Sequence, residues 1–135
     1  LLCQTHGQAL VIPALNRDGD CLSDLVLQMF GSIAGAESLV LSFREDLSPK
    51  VVMAEAPHGT APLLAGTNRA NPLAMILAGA ALLKAFPEEE AQAVGRAIER
   101  SALRCLRTGV RTRDLGGNTG TREFTSAVIA GLDKA

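Results

Sequence analysis

His58-Gly59-Thr60-Ala61-Pro62, followed at once by Ala65-Gly66 and then by Asn71-Pro72, reads as a ligand-shaped loop that feeds directly into a buried helix. Gly59 and Gly66 let the backbone come close to a flat or anionic ligand, and Pro62 stiffens the turn. Asn71 and Pro72 form a helix start, in which the asparagine caps and the proline occupies the first turn. Glycines and prolines also punctuate ordinary turns, so this stretch alone leaves a plain loop before a helix as the alternative.

Upstream, Gly19-Asp20-Cys21-Leu22-Ser23-Asp24 sets two carboxylates four residues apart at the start of a helical run. That spacing puts Asp20 and Asp24 one turn apart on one helix face, close enough to share a hard divalent ion such as magnesium or manganese. The competing reading makes Asp20 an N-cap and Asp24 a complement to the helix dipole.

Together and in this order, "GDCLSD" (19–24), "EAPHGTAPLLAG" (55–66), "RANPLAMILAGAALL" (69–83) and "RTRDLGGNTGTREFTSAVIAGL" (111–132) resemble the isocitrate and isopropylmalate dehydrogenase family of metal-dependent, NAD(P)-linked decarboxylating dehydrogenases. The resemblance covers nearly the whole chain, but it is to the C-terminal part of proteins well over twice this size. It implies an α/β fold with helices packed around a central sheet. Residues 1–135 then form a single partial domain, the C-terminal segment of an isopropylmalate dehydrogenase-like fold.

By the same resemblance, Asp20 and Asp24 match metal-binding aspartates for Mg2+ or Mn2+. His58, Gly59, Thr60 and Ala61 match the loop that wraps the adenosine of the cofactor, with Asn71 at the adenine edge, and Glu55 matches a carboxylate near the cofactor. The implied reaction oxidises a 2-hydroxy acid such as isocitrate or 3-isopropylmalate and then releases the carboxylate beta to the new ketone. A divalent ion suits this chemistry, because it chelates the hydroxy acid and stabilises the enolate.

The sequence departs from the family's pattern at Leu63 and Leu64. NAD-using relatives usually carry an acid there and NADP-using relatives a Lys-Tyr pair, whereas leucine can bond neither a ribose hydroxyl nor a phosphate. Arg69 and Arg113 lie in segments able to approach a 2′-phosphate. The reading favours NAD, with NADP as the alternative. The family's substrate arginines and its catalytic Tyr, Lys and third Asp lie upstream of this segment, so no catalytic residue is identified in it. The isolated 135 residues are therefore expected to be inactive. The alternative functions are a non-catalytic regulatory subunit of a heteromeric isocitrate dehydrogenase and an inactive truncated remnant.

Composition bounds these readings. With 47% hydrophobic and 20% charged residues and a formal net charge of −1, the chain can form a core and carries no basic footprint for nucleic acid. No run reaches the ~20 apolar residues of a membrane span. Cys3, Cys21 and Cys105 are odd in number and widely spaced, which fits reduced thiols in a cytoplasmic setting.

Hydrophobic periodicity predicts helices over about 20–30, 72–86, 87–107 and 122–132. It predicts strands near Leu39–Phe43 and Val51–Ala54, joined by an Arg44-Glu45-Asp46 turn, and an interrupted strand over Ala9–Pro13. The third helix is expected to bury Ala91, Val94, Ile98, Ala102 and Cys105 and to leave an arginine stripe in water. The family forms dimers through helices that follow the metal-binding aspartates, so Leu25, Met29 and Phe30 are candidates for a homodimer interface.

Overall fold

The computed structural model describes residues 11–29, 31–32 and 35–132. Helix α1 (Asn16–Met29) is followed by strands β1 (Ser38–Phe43) and β2 (Pro49–Glu55), then by helices α2 (Leu73–Lys84), α3 (Glu89–Arg107) and α4 (Thr121–Leu132). Short 3-10 turns at Pro62–Leu64 and Arg113–Leu115 interrupt the two long loops. The architecture is α/β, with four helices and a two-stranded antiparallel sheet among the described residues.

Both predicted strands are present, and the turn between them explains their register. Asp46 Oδ1 accepts hydrogen bonds from the Ser48 N–H (2.9 Å) and Ser48 Oγ (2.6 Å), while Arg44 N–H reaches the Ser48 carbonyl at 2.9 Å. This side-chain-closed turn aligns Ser38 with Glu55 and Leu41 with Val52, with a bulge between Ser42 and Phe43. The bonds from Ser48 hold the Asp46 carboxyl below the ordinary carboxylate range. Leu39, Val40, Leu41, Phe43, Val51 and Met53 nevertheless stay exposed, so the ribbon is apolar on both faces and covered mainly where α2 packs on β2.

The core belongs to the three C-terminal helices. Leu73 and Leu77 of α2, Ala102 and Cys105 of α3, and Phe124 and Val128 of α4 form one buried cluster, with Phe124 and Leu73 fully removed from solvent. Burial raises the Cys105 thiol pKa, as an inert core cysteine requires. Buried Ser101 is satisfied because its Oγ donates to the Val128 carbonyl at 2.7 Å, tying α3 to α4. Arg104 adds a second tie by donating to the Gly131 carbonyl. It thereby leaves the solvated arginine stripe to Arg96, Arg100 and Arg107, which are exposed.

Of the expected apolar seam of α3, Ala102 and Cys105 are buried and Ala91 and Ile98 half-buried. Val94 is exposed, and its neighbour Gly95 is buried instead. A Cβ on Gly95 would lie 2.6 Å from the Ala80 carbonyl oxygen, so α2 and α3 cross with almost no space between them. Only glycine admits that approach. Lys84 and Glu99 close the edge of this crossing with an ion pair at 2.8 Å. Elsewhere α2 keeps a side in water, where Met75 and Leu82 are exposed.

Helix α1 begins four residues earlier than the sequence suggested. The Gly19 N–H already bonds the Leu15 carbonyl at 2.7 Å, and Asp18 supplies the first-turn acid. Asp20 is thus inside the helix and not its N-cap. Val11–Pro13 form no strand; Ala9, Leu10, Phe30 and Cys3 lie outside the described residues. Helix α1 buries none of its residues: Leu22, Leu25 and Met29 are exposed along one side. No helix among the described residues is long and apolar enough to cross a membrane.

Candidate functional site

The loop between β2 and α2 turns sharply twice. Ala61 adopts a left-handed backbone (φ 42°), which swings the chain from His58-Gly59-Thr60 into the 3-10 turn at Pro62–Leu64. The Leu64 N–H closes that turn on the Ala61 carbonyl at 2.8 Å. A non-glycine residue in this region carries about 1–2 kcal/mol of strain, a cost that recurs at ligand clamps. Gly66 (φ 73°) and Asn68 (φ 58°) make the second reversal, which returns the chain to Asn71.

That reversal is held from a distance. Asn68 Oδ1 accepts the Arg122 N–H at 2.9 Å, and Asn68 Nδ2 donates to Glu123 Oε2 at 2.8 Å, so one side chain caps α4 and clasps its first turn. The Thr121 N–H and hydroxyl bond the carbonyls of Asn68 and Ala70. Gly120 makes the fit feasible, because a Cβ there would lie 2.5 Å from Asn68 Nδ2. The bond from Asn68 also keeps the Glu123 carboxyl below its ordinary pKa.

These constraints shape a cavity of about 670 Å³, lined by His58, Gly59, Thr60, Ala61, Leu64, Ala65, Arg69, Ala70, Asn71, Arg113 and Asp114. All five residues singled out for the cofactor therefore border one space, of a size that suits part of a dinucleotide. His58 Nδ1 donates to the Gly59 carbonyl at 3.0 Å, which orients its ring at the cavity edge. Arg69 and Arg113 bring two positive charges to the same wall, and Leu64 presents an apolar surface, whereas Leu63 is 92% exposed and turned away from it.

Asn71 does cap α2, although the helix proper begins two residues later: its Oδ1 accepts the Leu73 N–H at 2.9 Å. Its Nδ2 donates to Asp114 Oδ2 at 2.8 Å, and Ser32 Oγ donates to the same oxygen at 2.7 Å. Partial burial would raise the Asp114 pKa, but the nearby Thr112 hydroxyl and the hydrogen bonds from the side chains of Asn71 and Ser32 outweigh it and hold the carboxyl below its usual value. Thr112 is fully buried, and its hydroxyl makes no hydrogen bond among the described residues.

A carboxylate whose folded pKa is depressed contributes stability in full above its unfolded pKa, near 4, and loses it as pH falls through the lower folded value. Acid unfolding followed by circular dichroism should therefore show a shallower pH dependence below about pH 4 for Asp114→Asn than for the parent chain.

Asp20 and Asp24 stand apart from the cavity. Both are exposed on α1 one turn apart, and Ser23 Oγ donates to the Asp20 carbonyl at 3.0 Å. Among the described residues no His, Cys, Asp or Glu joins them to make a set of three. The pair fits a hard cation that takes one or two protein carboxylates and leaves its other positions to water and substrate oxygens. The carboxylate of Glu55 ends β2, exposed and just ahead of the cavity loop. Asp114, Ser32 and Asn68 went unnoticed in the sequence, because their partners lie 43 to 82 residues away and no local pattern marks them.

A family model described as isocitrate/isopropylmalate dehydrogenase matches residues 2–128. The 3-isopropylmalate dehydrogenase of Zymomonas mobilis is 42% identical over 98% of this chain, and the isocitrate/homoisocitrate dehydrogenase of Thermus thermophilus is 37% identical over 90% of it. The chain spans about a third of the length of these relatives, 36% and 34% respectively. Among solved structures, the apo beta-decarboxylating dehydrogenase of Thermococcus kodakarensis superposes with a TM-score of 0.70 at 31% identity, over 88% of this chain and 32% of that one. Isocitrate dehydrogenase from Methylococcus capsulatus gives 0.66 at 33% identity, over 84% of this chain and 32% of that one.

Proposed function

Because the chain belongs to the isocitrate/isopropylmalate dehydrogenase family, we propose that it is a single partial domain of a decarboxylating dehydrogenase, supplying the adenosine side of an NAD site and two carboxylates for a divalent ion. The observation that carries this reading is the convergence of His58, Gly59, Thr60, Ala61 and Asn71 on one cavity. The cavity walls suit a dinucleotide: Leu64 and Ala65 offer apolar area to a base, Asn71 a polar edge, and Arg69 and Arg113 charge for phosphate.

The substrate is a small 2-hydroxy acid such as isocitrate or 3-isopropylmalate. Bound at Asp20 and Asp24, Mg2+ or Mn2+ would supply Lewis-acid stabilisation of the oxygen on which charge develops. The role of this chain is to hold those two groups and to position the cofactor. The groups that contact substrate are supplied by the remaining two thirds of the family's length, so the 135 residues alone bind without turning over. The exposed apolar side of α1, with Leu25 and Met29, is the proposed contact with a second copy in a homodimer. Cys21 and Cys105 are free thiols, which supports a cytoplasmic setting.

Calorimetric titration of the chain with NAD and with NADP tests the cofactor assignment. NAD is expected to bind saturably, and Asn71→Ala to weaken it by about tenfold, the effect of losing one or two hydrogen bonds. Absence of binding by both dinucleotides would sink the proposal. Tighter binding of NADP, lost in Arg69→Ala and Arg113→Ala, would reassign the cofactor to the phosphorylated form.

A further inference from the structure

A second cavity, of about 340 Å³, opens where three pieces of chain meet: Gly31 after α1, Leu106 and Arg107 at the end of α3, and Arg111, Asp114 and Leu115 in the loop before α4. Its two arginines lack a counter-charge, since neither guanidinium forms an ion pair among the described residues. Asp114 lies in the same wall, yet its Oδ2 is taken by Asn71 Nδ2 at 2.8 Å and by Ser32 Oγ at 2.7 Å. Two cations therefore line one space against a single carboxylate that is already engaged.

Arg111 is fixed at both ends. Its carbonyl accepts the Thr119 N–H at 2.9 Å, and a Cβ on Gly117 would collide with the same oxygen, so the loop backbone has no room to shift. Its Nε donates to the Leu106 carbonyl at 2.8 Å, which sets the plane of the guanidinium and leaves its terminal N–H donors without a partner among the described residues. A side chain ordered in advance loses little freedom when it takes up a ligand. The end of α3 would repel an anion through open carbonyls, but those of Arg104, Cys105 and Leu106 already accept the N–H groups of Thr108, Val110 and Gly109.

A guanidinium fork matches two oxygens of a phosphate, and two unpaired guanidinium groups match its double charge. A phosphate monoester concentrates about −1.5 to −2 charge on one group at neutral pH. The cavity is at the small end of ligand pockets and larger than a bare phosphate needs, and Leu106 and Leu115 offer apolar area to an organic substituent. We propose that this cavity binds a small phosphate monoester, with Arg107 and Arg111 on the phosphoryl oxygens and Leu106 and Leu115 against the organic part. The site is separate from the cofactor cavity and does not depend on the cofactor reading.

Calorimetric titration of the chain with phenyl phosphate, inorganic phosphate and glutarate at fixed salt tests this. Phenyl phosphate is expected to bind saturably, one molecule per chain, and more tightly than the other two. Arg107→Gln and Arg111→Lys should each weaken it by about tenfold, through loss of charge in the first and of the planar fork in the second. Arg107 has no partner to lose, so Arg107→Gln gives a reading even if Arg111→Lys disturbs the loop. Arg100→Gln, exposed on α3 outside the cavity, should change nothing. Equal weakening by Arg100→Gln would mean diffuse attraction to the helix and overturn the site. Loss of binding in Arg69→Ala with none in Arg107→Gln would move the anion to the cofactor cavity, and glutarate binding as tightly as phenyl phosphate would remove the phosphate assignment. Absence of saturable binding by phenyl phosphate would overturn the proposal outright.

Discussion

Phe124→Ala is expected to cost about 3–5 kcal/mol, the range for truncating a fully buried aromatic side chain. Phe124 has no exposed surface and lies in the cluster of Leu73, Leu77, Ala102, Cys105 and Val128, which joins α2, α3 and α4. The lost transfer free energy and the unfilled cavity add together, because three helices meeting at one point cannot all move inward. A domain of this size is stable by only about 5–15 kcal/mol, so the variant should lose a large share of its stability. Ile129→Ala provides the comparison on the same helix: Ile129 is 60% exposed, and its replacement should stay within about 0.5 kcal/mol. Urea unfolding followed by circular dichroism measures both, and equal costs would mean that the helices do not share this core.

Asp24→Asn is expected to lower Mn2+-dependent NAD reduction by the whole protein by at least about a hundredfold, since even outer-shell changes at metal sites cost 10–100-fold. The substitution keeps size and shape but removes one of two charges on a hard-cation site, where carboxylate charge supplies most of the affinity. Asp24 is exposed and its side chain has no hydrogen bond or ion pair among the described residues, so the helix should be unaffected and thermal unfolding unchanged. Paramagnetic relaxation of water by Mn2+ reports binding separately from turnover. Full activity in the variant would remove the aspartate pair from the proposed metal site. Retention of dinucleotide binding with no metal-dependent activity in the parent protein would favour the regulatory subunit instead.

The helices and the hairpin were legible in the sequence because each is specified locally. Leu73–Leu83 is an unbroken apolar run of helical length that follows the Asn71-Pro72 start. Acidic Glu89 and Glu90 open α3 and Arg104 and Arg107 close it, and Asp46 marks the turn between β1 and β2. The misreadings have equally local reasons. Gly19 looked like the residue before a helix, yet a glycine in the first turn costs only about 1 kcal/mol, and the helix runs through it from Asn16. Val94 looked like core because it is large and apolar, but the α2–α3 crossing is so close that only Gly95 fits. Within the cavity, the His58–Ala61 loop and Asn71 carry their chemistry in adjacent residues and could be found. Asp114 could not, since its partners are chosen by the folded chain and not by neighbours in sequence.

The Asn68 clasp has a consequence in time. The loop at 65–71 is pinned by bonds to Thr121, Arg122 and Glu123, more than fifty residues further along, and each such closure must offset the entropy of the intervening chain. Pairing between β1 and β2 and docking of α2 on α3 need far shorter loops and can form first. During synthesis, then, a chain released as far as α3 holds most of its helices but no finished pocket. The pocket is complete only once α4 has emerged and its first turn has closed on Asn68.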